Sequence, residues 1–187
     1  LVEPSQGGDL LERIAALRRQ LAGELGLLLP TVRVNDNLRL EAHGYTVRIR
    51  GAKVAEGLLY PGQFLAVAGA ETHPGAALTG RETEEPTFHA PAVWIGPDQR
   101  EHAERLGYTV VEAPNVLMTH LGETLRRHAA ELLSREQVGR LLEHMRRRCE
   151  NLVDEVSEAL RVGQIQKALQ NLLRERVPIR DLETILE

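Results

Sequence analysis

The chain has 187 residues, 42% hydrophobic and 27% charged, with a formal net charge of -4, which is globular composition sufficient for one large domain or two to three small ones. The acidic balance gives no global reason to expect nucleic acid or an anionic membrane surface as partner, and a lone cysteine, Cys149, excludes an intrachain disulfide framework and a thiolate metal cage. Aromatics make up only 3%, so Leu, Val, Ile and Ala must fill the core, and Phe64, Phe88, Trp94, Tyr45, Tyr60 and Tyr108 need individual placement.

Asp9 followed by Glu12 has the spacing of a helix cap, and Leu10, Ile14, Leu17, Leu21 and Leu25 then recur on one helical face up to Gly26. The apolar run 25–29 is too short to span a bilayer, and the acidic, Gly-rich start lacks the basic flank of a signal peptide, so a soluble chain is expected. Beyond Pro30 the period changes to two. Val32 and Val34 alternate with polar residues, as do Tyr45, Val47 and Ile49, predicting half-buried strands. Further strands are predicted at 54–59 and 64–68, with Pro61-Gly62 as the turn between them.

Residues 69–91 are rich in Gly, Thr, Glu and Pro and predict a long loop, with Glu82, Glu84 and Glu85 as either a solvated acidic stretch or the acidic rim of a groove. A buried strand at 93–95, a short helix at 97–106 closed by Gly107, and a strand at 108–111 follow. After Pro114 the pattern is helical. Val116, Leu117, Leu121, Leu125, Ala129 and Leu132 share a face, and Ser134 with Gln137 forms a capping box that opens a new helix. Amphipathic segments at 152–160, 165–173 and 179–186 complete the chain, with Gly163 and Pro178 as the expected breaks.

Motifs for enzymatic chemistry are missing. There is no Gly-rich phosphate loop ending in Lys-Ser or Lys-Thr, no G-x-G-x-x-G, no G-x-S-x-G elbow, and no H-x-x-x-H pair among the seven histidines. The expectation is a non-enzymatic protein with no metal and no cofactor.

Four strings carry a more specific signal: LPTVRVNDNLRL at 29–40, EEPTFHAPAVWI at 84–95, GYTVVEAPNVLMTHL at 107–121 and LQNLLRERVPIRDLETILE at 169–187. Together they resemble the large cytoplasmic domain of the type III export gate family, whose members serve flagellar assembly and, as paralogues, the virulence injectisome. The resemblance implies an α+β fold: a thioredoxin-like α/β first subdomain (1–64 and 111–127), a small inserted α/β subdomain (65–110) and an all-helical subdomain (128–187). It further implies that a membrane part precedes this region and another α/β subdomain follows it in the family, so that the chain corresponds to an excised or shortened piece.

Function is implied in the same way. The family's cytoplasmic domain forms a homo-oligomeric ring at the cytoplasmic face of the bacterial inner membrane and docks export chaperones loaded with late cargo. It cooperates with the export ATPase complex and the second large gate protein. The motif match carries the chaperone and cargo groove onto Glu85, Phe88, Val116 and Thr119, with Phe88 as apolar anchor, Val116 extending that surface and Thr119 as a small polar contact. For Phe88 the alternative is a plug inside the inserted subdomain. Where the family commonly has Gly-Leu after this Phe, the chain has His89-Ala90. Trp94 reads as core, and Arg176, Pro178, Arg180 and Asp181 as the turn between two helices.

The patterns GRETEEPTF and VLMTHL favour the flagellar form, with the injectisome form as alternative. A helical nucleic-acid-binding regulator, suggested by the Arg-rich stretch after Ser134, is the reading from a different class, although Glu131, Glu136, Glu143 and Glu150 interleave with those arginines.

Overall fold

The computed structural model describes residues 9–72 and 78–187, arranged as two compact units. The first takes the described residues up to Arg13 together with Val34–Thr124, and the second takes Ile14–Arg33 with Leu125–Glu187. Helix α1 (Leu10–Leu25) and helix α3 (Ala113–Arg127) contribute residues to both. Physical compactness therefore groups most of the first helix with the helical part of the chain.

The first unit contains a two-stranded and a four-stranded sheet. Strands β1 (Gly44–Ile49) and β2 (Ala52–Leu58) pair antiparallel around Arg50 and Gly51, whose φ values of 51° and 85° give a tight two-residue turn with the hand that suits strand twist. The second sheet is wholly antiparallel. Its order is β4 (Arg81–Glu84), β5 (Pro91–Ile95), β3 (Phe64–Val67), β6 (Thr109–Glu112).

The two central strands are buried on both faces, and that explains their near-continuous apolar sequence. On one face Leu65, Ala92 and Trp94 pack with Leu59, Ala113 and Val116, so the start of α3 covers it. On the other, Ala66 and Ile95 pack with Ala103 of helix α2 (Arg100–Arg105), which follows a 3₁₀ turn at Pro97–Gln99. Trp94 is a core residue, 3% exposed, and meets Tyr60 edge-on at 5.4 Å between ring centroids.

Two expectations fail here. Val32 and Val34 form no strand, because residues 30–43 run largely exposed without a pairing partner, and alternation alone does not supply one. The expected loop 69–91 contains strand β4; the rest of that expectation, at 73–77, lies outside the described residues, as does the start of the chain at 1–8. Strand β4 was hidden by its composition. Its sequence RETE is mostly exposed, as an edge strand protected by charge should be, so no apolar alternation marks it.

The second unit is helical: α4 (Ala129–Leu132), α5 (Arg135–Arg146), α6 (Glu150–Ala159), α7 (Val162–Arg174) and α8 (Leu182–Leu186), with the end of α3 and most of α1. The capping box at Ser134 forms: Gln137 N donates to Ser134 Oγ (3.2 Å), and Ser134 N donates to Gln137 Oε1 (2.8 Å). Helix α7 packs on α4 and α5 and buries Ile165, Leu169 and Leu173. Gln166 and Gln170 both donate to the Leu133 carbonyl, at 3.0 and 3.1 Å, tying that helix to the end of α4. Gly163 is no break; it lies inside α7, which starts one residue after Arg161 caps it.

Helix α7 ends as a Schellman motif. Val177 N donates to Leu172 O (2.8 Å) and Arg176 N to Leu173 O (3.1 Å), with Arg176 in the left-handed region at φ 61°. Asp181 then caps α8, accepting from Thr184 Oγ1 at 3.0 Å. Between these ends, Ile179 N donates to Leu25 O (2.9 Å), so the Pro178 segment closes the C-terminus of α1. Gly26, at φ 79°, permits this approach, since a Cβ there would overlap the backbone of Ile179 and Arg180.

Gly26→Ala is therefore expected to cost about 2 kcal/mol or more, from left-handed strain plus backbone overlap. Gly23→Ala, three residues earlier on an exposed turn of α1 with open space around it, should stabilise by about 0.5 to 1 kcal/mol through helix propensity. Chemical denaturation of the two variants checks the contrast.

Candidate functional site

The turn 85–90 joins β4 to β5, and its backbone is closed by Glu85 N to Ala90 O (2.8 Å) and His89 N to Glu85 O (2.9 Å). Pro86 has no N–H to place, and the amides that follow it are taken by a side chain. Glu85 Oε2 accepts from Thr87 N at 3.0 Å and from Phe88 N at 2.6 Å. The carboxylate is thus turned inward, and Glu85 is 7% exposed. It stabilises the turn as an N-cap stabilises a helix start, by accepting backbone donors with a charged group.

The consequence is that Phe88 points away from the interior. It is 71% exposed, so the reading in which it plugs the inserted subdomain does not describe this turn. Exposing a Phe ring to water forgoes about 2 kcal/mol of burial, a cost the local fold gains nothing from. His89 beside it sits at φ 59°, a left-handed conformation in which a glycine would be free of Cβ strain, and its ring lies 3.6 Å from the exposed carboxylate of Glu84.

Val116 and Thr119 lie three residues apart on α3 but differ in exposure. Thr119 is exposed, as expected for a polar contact. Val116, expected to extend the surface, is 2% exposed and packs against Trp94, Ala92 and Leu65. Its face of the helix, shared with Ala113, His120 and Thr124, is buried. Of the four residues, two are presented to solvent and two are committed beneath them.

Two further residues join these parts and were not picked out from the sequence as site residues. Tyr45 of β1 places its hydroxyl 2.6 Å from His120 Nδ1 on α3, and its ring packs on the cluster that holds Val116 and Trp94. Burial raises the Tyr45 hydroxyl pKa well above its ordinary value, and the nearby charge of Glu85 raises it further. Glu85 is therefore electrostatically linked to Tyr45, and Tyr45 is hydrogen-bonded to the residue after Thr119. The available signals were the scarcity of aromatics, which marks each Tyr, and the position of His120 inside the VLMTHL string.

The arrangement leaves an apolar ring and a small hydroxyl exposed above buried side chains of the turn and of α3. It has the character of a protein-binding surface with an aromatic anchor. The chain belongs to the FHIPEP family, whose model matches residues 1–187.

It is similar to the flagellar biosynthesis protein FlhA of Bacillus subtilis, with 44% identity over 188 residues, covering 100% of this chain and 28% of that protein. The chain thus spans between a quarter and a third of that relative. By fold it is similar to the Chlamydia pneumoniae CdsV protein (TM-score 0.81, 22% identity, 97% of this chain and 53% of that one). It also resembles the nonameric SctV-C of EPEC (TM-score 0.69, 22% identity, 96% of this chain and 54% of that one).

At position 89, His89→Gly should leave stability unchanged or raise it, since relief of left-handed strain opposes the added chain entropy. His89→Val, β-branched at positive φ, should cost about 1 to 2 kcal/mol. Thermal melts of both variants check this.

Proposed function

We propose that this chain is part of the cytoplasmic docking platform of a flagellar protein export gate, receiving export chaperones with their cargo and passing them toward the membrane channel. The observation that carries the reading is Phe88, 71% exposed on a turn whose Thr87 and Phe88 amides are both taken by the buried Glu85 carboxylate. Thr119 is the second contact in this reading. Glu85 and Val116 serve from beneath, one holding the turn and the other seating α3. The 44% identity to a flagellar protein over the whole chain supports the flagellar form over the injectisome form.

In the wider assembly the proposed partners are the export ATPase complex, the second large gate protein and further copies of the chain in a ring, at the cytoplasmic face of the inner membrane. The nonameric state of the EPEC relative supports the ring. Among the described residues no helix is long and apolar enough to cross a membrane. The role is binding rather than catalysis, with no cofactor, and nucleic acid is not a partner. Arg140 pairs with Glu136 at 2.6 Å and Arg146 with Asp154 at 2.9 Å, so part of the basic stretch is already matched by carboxylates. The proposed division into subdomains is a thioredoxin-like 1–64 with 111–127, an inserted 65–110, and a helical 128–187.

Phe88→Ala is expected to weaken binding of a cognate chaperone and cargo complex by about 2 kcal/mol, roughly thirtyfold in affinity. Its melting temperature should barely move, since exposed substitutions stay within about 0.5 kcal/mol, while Trp94→Ala in the core should cost about 3 to 5 kcal/mol of stability. Thr119→Asp should weaken binding in the same direction at little cost to folding. Calorimetric titration paired with thermal melts separates a contact from a core residue.

A further inference from the structure

We propose that the Tyr45–His120 hydrogen bond is a positioning brace that sets where the Phe88 turn stands relative to the Thr119 face of α3. This deepens the docking reading above and rests on it. Phe88 and Thr119 are both presented outward, so their spacing is fixed by what lies beneath them rather than by each other. Tyr45 bonds to His120 of α3 and packs on the cluster to which β5 contributes Ala92 and Trp94.

The sequence makes room for this side chain at a specific place. Gly57 is the cross-strand partner of Tyr45 in the β1–β2 hairpin, and a Cβ at Gly57 would meet the Tyr45 hydroxyl at 2.7 Å and its ring at 2.9 Å. Glycine there lets the phenol lie across β2, a recurrent device in which a cross-strand aromatic covers a glycine. Lying so, the ring directs its hydroxyl to His120 Nδ1 at 2.6 Å, with the imidazole edge-on at 74° and 5.8 Å between centroids.

The same ring packs on the cluster of Leu59, Ala92, Trp94 and Val116. Ala92 and Trp94 belong to β5, the strand that leaves the Phe88 turn, and Val116 is one helical turn before His120. Glu85, which holds the Phe88 amide, is close enough to raise the Tyr45 hydroxyl pKa. One phenol therefore crosses its own hairpin, packs on the cluster that holds Ala92 and Trp94 of the strand after the turn, and bonds to the helix that carries Thr119. A buried tyrosine whose hydroxyl merely needed a partner would be satisfied by any nearby acceptor. Here the partner is the neighbour of the second docking residue, reached only because the opposite strand has no side chain.

The test is a double-mutant cycle on affinity for a purified cognate flagellar chaperone bound to its cargo, measured well below the melting temperature of every variant. Tyr45→Phe keeps the ring and removes the hydroxyl; Gly57→Ala keeps every hydrogen-bonding group and pushes the whole phenol, hydroxyl included, out of its place. Each is expected to weaken binding by about tenfold in the parent chain and to have no further effect in the Phe88→Ala background, because a brace acts through the residue it positions. Backbone amide exchange at Phe88 should quicken in both variants.

An equal loss in both backgrounds, as general destabilisation gives, would overturn the brace. So would full binding by Tyr45→Phe or Gly57→Ala in a chain whose Phe88→Ala variant binds weakly, and that outcome leaves the docking reading standing. Absence of binding by the parent chain would overturn the docking reading and the brace with it. Should Tyr45→Phe fail to fold, the same outcomes are read from Gly57→Ala.

Discussion

The turn that exposes Phe88 depends on one buried carboxylate. A six-residue connection between two antiparallel strands has more backbone donors than its own carbonyls accept in this geometry, and Glu85 takes two of them. Burying a charge is costly unless it is fully hydrogen-bonded. Satisfying the carboxylate with amides that follow it in sequence fixes the path of the chain at Thr87 and Phe88. The outward ring of Phe88 is then a consequence of main-chain accounting beneath it, and the surface exists because the interior is closed. This also separates two kinds of site residue that a motif treats alike: Phe88 and Thr119 meet solvent, whereas Glu85 and Val116 make that exposure possible.

The helical unit is organised by a comparable constraint, in main chain rather than side chain. Helix α1 ends at a glycine whose missing Cβ lets the segment after Pro178 come within hydrogen-bonding range of the Leu25 carbonyl. The last helices are thereby joined to the first across most of the sequence. A Schellman end on α7 and an Asp181 cap on α8 place Ile179 between two stops, with 1% exposure. Arg126 donates twice to Glu24, at 2.9 and 3.0 Å, which holds that carboxyl below its ordinary value. The pair is partly exposed and adds little to stability.

Most helices were legible because their signals are local. The face of α1, the capping box at Ser134 and the closing glycine at Gly107 each announce themselves within a few residues. Strands β1, β3 and β5 were legible for the same reason, by alternation or by short apolar runs between turn residues. Strand β4 was not, because an edge strand is defined by its neighbour, and its own residues are chosen to discourage further pairing. Val32 and Val34 failed in the opposite sense, alternating without any strand to pair with. At the candidate site, the family strings pointed to the 85–90 turn and to α3, yet burial within them was beyond sequence: Val116 and Thr119 differ by less than one helical turn and face opposite media. Tyr45 and Gly57 were invisible as a pair because their relation is a cross-strand register.

The central claim is that chaperone and cargo dock at the Phe88 turn and the outer face of α3. Site-specific photo-cross-linking tests it most directly, with a photoreactive side chain placed in turn at Phe88, at Thr119, and at the exposed Lys167 on α7. The expected result is a cross-link to the chaperone and cargo complex from the first two positions and none from the third. Cross-linking from Lys167 alone, with positions 88 and 119 silent while the complex is shown to be bound, would contradict it.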